Sequence, residues 1–148
     1  VGYDVCFRAG IKGYKPVEGI NPDSDTIENI VIMLKRSLAF WREYGPITKV
    51  GFTFEGGYTD IVSSGDGDYL TNDTLWDFKV SKGELRSKDT LQLLMYYIMG
   101  YHSIHPKFKK IEKLGIFNPR KNKVYIANIS LINPETIEKV SKDIIGYK

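Results

Sequence analysis

Three charged residues, Asp68, Asp77 and Lys79, occur in two short apolar segments that a polar turn separates. Side chains alternate along a β-strand, so Asp77 and Lys79 share one face of the second segment while Trp76 and Phe78 lie on the other. A carboxylate and an ammonium held side by side on an apolar strand are suited to bind a divalent metal together with a phosphate. The pattern therefore suggests metal-assisted chemistry at a phosphate group.

The residues around Asp68 leave two interpretations open. Gly65 and Gly67 flank this region, so Asp68 is either a turn residue or a ligand on a strand. Asp66 lies two residues earlier and could face the same way, although an exposed turn acid is the alternative. The sequence around these positions does not decide between the two interpretations.

A third apolar segment, residues 91–99, contributes two polar groups. Gln92 is the only strongly polar side chain in residues 91–99, and Tyr96 follows four residues later, so both would lie on one face of a helix. A buried amide needs hydrogen-bond partners, and the backbone is one possible source of them. The other interpretation is that Gln92 and Tyr96 line a polar cleft above the strands. There they could donate hydrogen bonds to phosphate oxygens or to metal-bound water.

The elements that must position these residues can be predicted from apolar periodicity and turn residues. Asp25 and Glu28 have capping-box spacing at the start of a first helix, and Gly45-Pro46 ends it. Apolar residues repeat along it with helical spacing. They are Ile27, Ile30, Val31, Leu34, Leu38 and Trp41.

The rest of the chain alternates between strand-like and helical patterns. Residues 47–82 predict about three antiparallel strands, with a turn at 71–73. Residues 90–101 predict a helix with Asp89 as its cap, residues 113–117 and 123–127 two more strands, and Asn133-Pro134 the start of a last helix. We therefore expect an α/β fold, a mixed β-sheet flanked by helices.

Composition limits the class of protein. The chain has 148 residues, of which 42% are hydrophobic, which indicates a single soluble domain over residues 1–148. Its parts would be a lead-in (1–24), a core (25–130) and a C-terminal helix (131–148). Cys6 is the only cysteine, which excludes an internal disulfide and a cysteine-based zinc site. The chain begins at Val1, which is compatible with a fragment of a longer protein.

Two kinds of segment that would point to a membrane or to export are not evident in the sequence. The longest apolar run, residues 91–99, is too short to cross a bilayer, so no membrane partner is expected. We see no charged and then apolar leader of the signal-peptide type, and the expected location is the cytoplasm.

Charge is distributed unevenly along the chain. Residues 1–100 carry 11 Lys and Arg against 14 Asp and Glu, whereas residues 101–148 carry 10 against 4. The two parts thus sum to −3 and +6, which gives the net charge of +3. This excess is compatible with an ordinary solvated surface or with a basic surface that a polyanion approaches.

Taken together, these motifs resemble the PD-(D/E)XK nuclease superfamily, and in particular its RecB-like exonuclease branch. Three motifs carry the likeness, and the order helix, strands, helix, strand over residues 25–130 agrees with it. The motifs are Gly65-x-x-Asp68, Asp77-x-Lys79 and Gln92-x-x-x-Tyr96. The resemblance implies a restriction-endonuclease-like core and a Mg²⁺ or Mn²⁺ cofactor.

The resemblance also implies a role for each matching residue. Asp68 and Asp77 take the places of the two acidic metal ligands, and the peptide carbonyl of Phe78 would complete the metal shell. Lys79 takes the place of the motif lysine. Gln92 and Tyr96 take the places of the helix motif of the RecB-like branch.

The family often adds a further acidic or histidine ligand from the first helix, and this sequence offers no single candidate for it. Glu28 and Glu43 lie on the predicted first helix, Glu55 on the strand predicted before Asp68, and Asp66 beside Asp68. The alternative for each of the glutamates is a solvated acid or a helix cap.

The function that the resemblance implies is hydrolysis of phosphodiester bonds in DNA, with RNA as a second possible substrate. It favours exonucleolytic or structure-directed cleavage over site-specific restriction. A different class is a nucleic-acid-binding or assembly module that retains the nuclease fold without cleaving. A third is a structural domain in which the polar strand is coincidental. Protein partners cannot be read from the sequence.

Overall fold

The computed structural model describes Gly13 and residues 15–148. The chain divides into two units, one that ends at Ile32 and one that begins at Met33. Most of the predicted lead-in over residues 1–24, namely 1–12 and 14, lies outside the described residues.

The described elements follow the order that the sequence predicts: one helix, three strands, a second helix, two strands and a last helix. Their bounds are α1 (Ser24–Tyr44), β1 (Lys49–Phe52), β2 (Gly67–Leu70), β3 (Thr74–Phe78), α2 (Ser87–His102), β4 (Lys113–Asn118), β5 (Lys123–Asn128) and α3 (Pro134–Lys139). A π-helical turn, Val140–Ile145, continues α3. The predicted α/β class is confirmed.

The five strands form one mixed sheet in the order β1-β2-β3-β4-β5. β3 and β4 are parallel, and the other neighbouring pairs are antiparallel. Parallel neighbours need a crossover connection, and α2 supplies it between β3 and β4. The predicted turn between β2 and β3 is confirmed, since Thr71 N donates to Thr74 O at 3.0 Å.

Each face of the central strands packs against a different helix. Leu75 of β3 and Leu114 of β4 belong to the main core, to which α2 contributes Leu94 and Met99. On the opposite face, Trp76 forms a smaller aromatic cluster with Phe40 of α1 and Phe117 of β4. Alternation along β3 therefore directs Leu75 and Asp77 to the α2 side.

The aromatic cluster depends on a close approach at β4. A Cβ added to Gly115 would lie 2.3 Å from the ring of Trp76, so any side chain at this position would collide with the indole. Phe40 stacks on Phe117 with ring centroids 4.2 Å apart and meets Trp76 edge to face at 4.8 Å. This packing fixes β3 against α1 on the side opposite Asp77.

The first helix differs from its prediction in two respects. Asp23, rather than Asp25, caps it: Thr26 N donates to Asp23 Oδ1 at 2.7 Å, so the helix begins at Ser24. Most of the apolar stripe is exposed, from 40% at Val31 to 60% at Leu38, whereas Phe40 is 4% exposed. Helical periodicity identified the helix, but the aromatic packing at its C-terminal end determines which face is buried.

The caps of the other two helices also follow from local hydrogen bonds. Asp89 lies at the third position of α2 rather than at its cap, because Oδ2 accepts from Arg86 N at 3.0 Å and the helix begins at Ser87. The predicted start of α3 is confirmed: Asn133 Oδ1 accepts from Glu135 N at 2.9 Å, and Pro134 occupies the first turn.

Candidate active site

β3 brings Asp77 and Lys79 together on the α2 side of the sheet. Lys79 Nζ lies 3.1 Å from Asp77 Oδ2, as the alternation of side chains along a strand predicts. Asp77 Oδ2 is buried and makes no hydrogen bond to the described residues, so this ion pair is the contact that compensates its charge.

Asp68 comes from the neighbouring strand β2. The pairs Tyr69–Trp76 and Leu70–Leu75 fix the antiparallel register, and continuing it by one residue sets Asp68 opposite Asp77. Asp68 Oδ2 accepts a hydrogen bond from Phe78 N at 2.7 Å. Asp68 is thus a strand residue rather than a turn residue, and its role as a metal ligand stays a prediction.

The carbonyl of Phe78 is directed to the same side as Asp68. Lys79 N donates to Phe117 O of β4 at 3.0 Å. The C=O and N–H of a trans peptide point in opposite directions, and the peptide between Phe78 and Lys79 is trans. The Phe78 carbonyl therefore points away from β4, to the edge of β3 where β2 lies.

α2 contributes the remaining two polar groups. Lys79 Nζ donates to Gln92 Oε1 at 2.8 Å, and Gln92 Nε2 donates to Tyr96 OH at 2.9 Å. The prediction that Gln92 and Tyr96 share a helix face is confirmed. The amide of Gln92 is bonded to side chains of the cluster on both sides. An unbroken series of contacts thus links Asp77, Lys79, Gln92 and Tyr96.

Burial and neighbouring charge act in opposite directions on Asp77. Burial raises the pKa of its carboxyl above the usual range, and the ammonium of Lys79 offsets part of this effect. The negative charges of Asp68 and Asp89 act in the same direction as burial. A bound cation would relieve this cost, because it would neutralise the carboxylate and give the buried oxygen a partner.

The hydroxyl of Tyr96 is affected by the same group of acids. Burial raises the pKa of Tyr96, and the charges of Asp66, Asp77 and Asp68 raise it further, while the hydrogen bond from Gln92 opposes the change. Tyr96 therefore remains a neutral phenol at ordinary pH. A neutral phenol can still donate one hydrogen bond to an anionic oxygen.

The predicted metal shell can be compared with the donors present. Among the described residues, no group of three or more His, Cys, Asp or Glu side chains is arranged to hold a metal ion. Asp68, Asp77 and the Phe78 carbonyl supply two carboxylates and one peptide oxygen. These hard oxygen donors fit Mg²⁺ or Mn²⁺, which commonly take one or two carboxylates and complete their coordination with water and substrate.

The candidate further ligands lie in different settings. Asp66 is exposed just before β2, close enough for its charge to act on Tyr96. Glu28 and Glu43 are exposed positions of α1, Glu28 in the unit that ends at Ile32. Glu55 is not on a strand, contrary to the prediction.

Glu55 lies in a turn because β1 ends at Phe52. Gly57 N donates to Phe54 O at 2.7 Å, and Gly56 has a φ of +82°, a backbone conformation that favours glycine. The carboxylate of Glu55 lies 2.7 Å from His105 Nε2 and also accepts from Thr53, and these contacts lower its pKa to about 2. His105 is thus a partner of Glu55.

A polar cavity beside Lys79 was not foreseen from the sequence. It has a volume of about 140 Å³, and Arg86, Asp89, Asn118 and Tyr125 are among its lining residues. The available signal was the set of basic residues in the loops 80–86 and 119–122. That signal could not be interpreted without knowing that these loops meet.

Comparison of the chain with protein-family models, with curated proteins and with solved structures gave no match. Within the described part of the chain, no helix has both the length and the apolar character that crossing a membrane requires.

Proposed function

We propose that this protein is a metal-dependent nuclease that hydrolyses phosphodiester bonds in DNA, on a restriction-endonuclease-like core of the PD-(D/E)XK type. The observation that supports the proposal is the linked series Asp77–Lys79–Gln92–Tyr96, with Asp68 opposite Asp77 on the next strand. The types and spacing of residues 68, 77, 79, 92 and 96 predict a common site; the last four are linked by contacts, and the charge of Asp68 acts on Asp77 and Tyr96.

Asp68, Asp77 and the Phe78 carbonyl would hold the metal. A bound Mg²⁺ or Mn²⁺ would supply Lewis acidity toward the scissile phosphate and lower the pKa of a bound water. The buried Oδ2 of Asp77 supports this assignment, since it makes no hydrogen bond and has only the ion pair with Lys79, so a metal could satisfy it further.

Lys79 would act on the phosphate and on the attacking water. Its ammonium stabilises negative charge that develops on the phosphate oxygens, and it orients the water for in-line attack. Gln92 holds Lys79 Nζ in place through its Oε1, and Tyr96 in turn holds the amide of Gln92. The α2 residues are therefore positioning groups for Lys79.

The preference for exonucleolytic or structure-directed cleavage rests on the likeness to the RecB-like branch. Purified protein with Mg²⁺ or Mn²⁺ should degrade linear duplex or single-stranded DNA, and EDTA should stop the reaction. Circular duplex should persist under the same conditions. Cleavage of the circle would exclude an obligate exonuclease and leave the nuclease assignment standing.

The decisive variant is Asp77→Asn, which keeps the shape of the side chain and removes its charge. We expect its rate of cleavage to fall by about 10²- to 10³-fold, as for loss of one electrostatic group in an active site. Asp73→Asn is the matched control, because Asp73 also pairs with a lysine, Lys113 of β4, and lies just before the other end of β3. A rate that survives in Asp77→Asn would contradict the assignment.

The same variants separate the nuclease from a binding module that has lost cleavage. Calorimetry should detect a Mn²⁺ site in the wild type and in Asp73→Asn but not in Asp77→Asn. A protein that binds DNA, lacks this Mn²⁺ site and does not cleave would be the non-catalytic module.

A further inference from the structure

The cavity beside Lys79, hereafter the side cavity, lies between the loop that follows β3 and the strands β4 and β5. Its lining comes from the segment after β3, from α2 and from the last two strands: Lys79, Ser81 and Arg86, then Asp89, then Asn118 and Tyr125. Lys79 thus contributes to both the candidate active site and the side cavity. A polynucleotide that presents one phosphate to Lys79 would bring a neighbouring part of its backbone to this cavity.

The walls of the side cavity are fixed by hydrogen bonds. Asn118, which is 5% exposed, donates to Ser81 O at 2.8 Å and accepts from Arg120 N at 3.0 Å. Arg36 of α1 donates to the carbonyls of Pro119 and Arg120, at 3.0 and 2.8 Å. The tip of the β4–β5 hairpin is therefore held next to the loop, and the cavity exists before any ligand binds.

Basic side chains outnumber acidic ones in the two segments that border the side cavity, whereas its lining itself holds two cations, Lys79 and Arg86, and two acids, Glu84 and Asp89. Residues 79–86 include three basic side chains, residues 118–123 include three more, and Glu84 is the only acid in either segment. The six are Lys79, Lys82, Arg86, Arg120, Lys121 and Lys123. Three of the six belong to residues 101–148, the part of the chain with the positive net charge, and three to residues 1–100.

Glu84 is bonded to the cations that would otherwise face an incoming anion. Its carboxylate forms a short ion pair with Lys121, lies 3.4 Å from Lys123 Nζ, and accepts from Tyr125 OH at 3.4 Å. The Glu84 side chain is 66% exposed. The side chains of Lys121 and Lys123 are 22% and 49% exposed, and ion pairs that solvent reaches in this way are weak enough for an external anion to replace the carboxylate.

We propose that the side cavity binds the backbone phosphate next to the one that is cleaved, and that Glu84 is the internal anion that this phosphate displaces. A phosphodiester offers Lys121, Lys123 and Tyr125 the same kind of charged acceptor oxygen that Glu84 now supplies. The choice of a polynucleotide as ligand rests on the proposed function. The ion pairs of Glu84 are observed in the structure and do not depend on the proposed function.

The first test compares Glu84→Gln with Glu138→Gln. Glu138 pairs with Lys142 at 2.6 Å and its side chain is 63% exposed, so the two changes remove the same charge from carboxylates of similar exposure. Binding of a fluorescent single-stranded oligonucleotide is measured by anisotropy in EDTA. Glu84→Gln should tighten binding by about three- to fivefold, as expected for release of exposed ion pairs, while Glu138→Gln should leave it nearly unchanged.

The second test removes the cations. The double variant Lys121→Ala, Lys123→Ala should weaken binding by about tenfold and reduce the salt dependence of binding by about 0.7 units of log–log slope, as for one phosphate of a single strand. The double variant Lys139→Ala, Lys142→Ala is the control, because both of its lysines form exposed ion pairs on α3 and the turn after it. Opposite effects of the Glu84 and lysine changes cannot arise from loss of folding.

Equal effects of Glu84→Gln and Glu138→Gln, or of the two lysine pairs, would overturn the inference. Because EDTA prevents cleavage, these results do not depend on the nuclease reaction. If the protein cleaves DNA but Glu84→Gln has no selective effect on binding, the nuclease assignment would stand and the side cavity would not be part of the substrate site. A selective effect without cleavage would leave a nucleic-acid-binding cavity on a protein that is not a nuclease.

Discussion

Two acid–lysine pairs involve the ends of β3, and they differ mainly in burial. At the C-terminal end, Asp77 and Lys79 are 3.1 Å apart, with side chains 11% and 28% exposed. At the N-terminal end, Asp73 and Lys113 are 2.7 Å apart, with side chains 41% and 39% exposed. Both pairs bring together the same two chemical groups, so the surroundings account for what each pair does.

The pKa values of the two carboxyl groups are shifted in opposite directions by folding. Hydrogen bonds from Lys113 and Thr74 lower the pKa of Asp73, so its ionised form is favoured by folding. Burial raises the pKa of Asp77 despite the nearby ammonium, so its ionised form is disfavoured by folding. An ion pair at the surface adds a little to stability, whereas a buried carboxylate with an unbonded oxygen lowers it. Groups of the second kind are concentrated at sites that bind or react.

The clearest evidence against a functional difference between the two pairs would be that Lys79 and Lys113 are equally dispensable for cleavage. We expect Lys79→Ala to reduce the rate by about 10²- to 10⁴-fold, the range for loss of a group that assists proton transfer and stabilises charge. Lys113→Ala should keep the rate within about twofold, because its partner Asp73 lies at the other end of β3. Initial rates on linear DNA with Mn²⁺ would measure both.

Circular dichroism and thermal unfolding supply the control for this prediction. Lys79→Ala should fold, since Trp76 and the rest of the aromatic cluster lie on the opposite face of β3. A folded Lys79→Ala variant with wild-type rates would show that the buried pair has no catalytic part.

A second difference between the pairs should appear in stability. In EDTA at pH 7, Asp77→Asn should raise stability by about 1 kcal/mol, or about 4 °C in Tm, because it removes a buried carboxylate that folding disfavours. A raised folded-state pKa lowers stability above that pKa, and the penalty disappears as the pH falls below the usual Asp value. The gain of Asp77→Asn over wild type should therefore vanish on acidification.

Differential scanning calorimetry from pH 7 down to pH 3 would measure this gain. A lower Tm for Asp77→Asn at pH 7 would mean that the attraction of Lys79 outweighs burial. The two pairs would then be alike in their effect on stability.

The sequence sufficed to predict what depends on neighbours along the chain. Alternation set Asp77 and Lys79 on one face, and helical spacing set Gln92 and Tyr96 on another, so the cluster formed once the sheet and α2 were packed together. The turn at 71–73 was identified from its polar residues, and it determines the register that sets Asp68 opposite Asp77.

Other features depend on packing that no local pattern encodes. The stripe of α1 is exposed because Phe40 meets Trp76 across the sheet, a contact between residues 36 positions apart. Glu55 lies in a turn rather than on the predicted strand because the chain reverses at Gly56, which has a positive φ. The side cavity lies between two loops about 40 residues apart in sequence, which Asn118 and Glu84 connect. In the sequence alone, the charges of these loops are those of an ordinary solvated surface.

The smallest effect should come from the exposed pair, with the opposite sign to that of Asp77. Asp73→Asn should lower Tm by no more than about 2 °C at pH 7, as for a surface ion pair. A depressed folded-state pKa adds stability above the usual Asp value, near pH 4, and this is lost as the pH falls through the folded-state pKa. The deficit of Asp73→Asn should accordingly be steady at neutral pH and should close as the pH falls through the folded-state pKa. The same calorimetric series would show it, and a deficit that persists in acid would mean that Asp73 acts through its hydrogen bond to Thr74 rather than through charge.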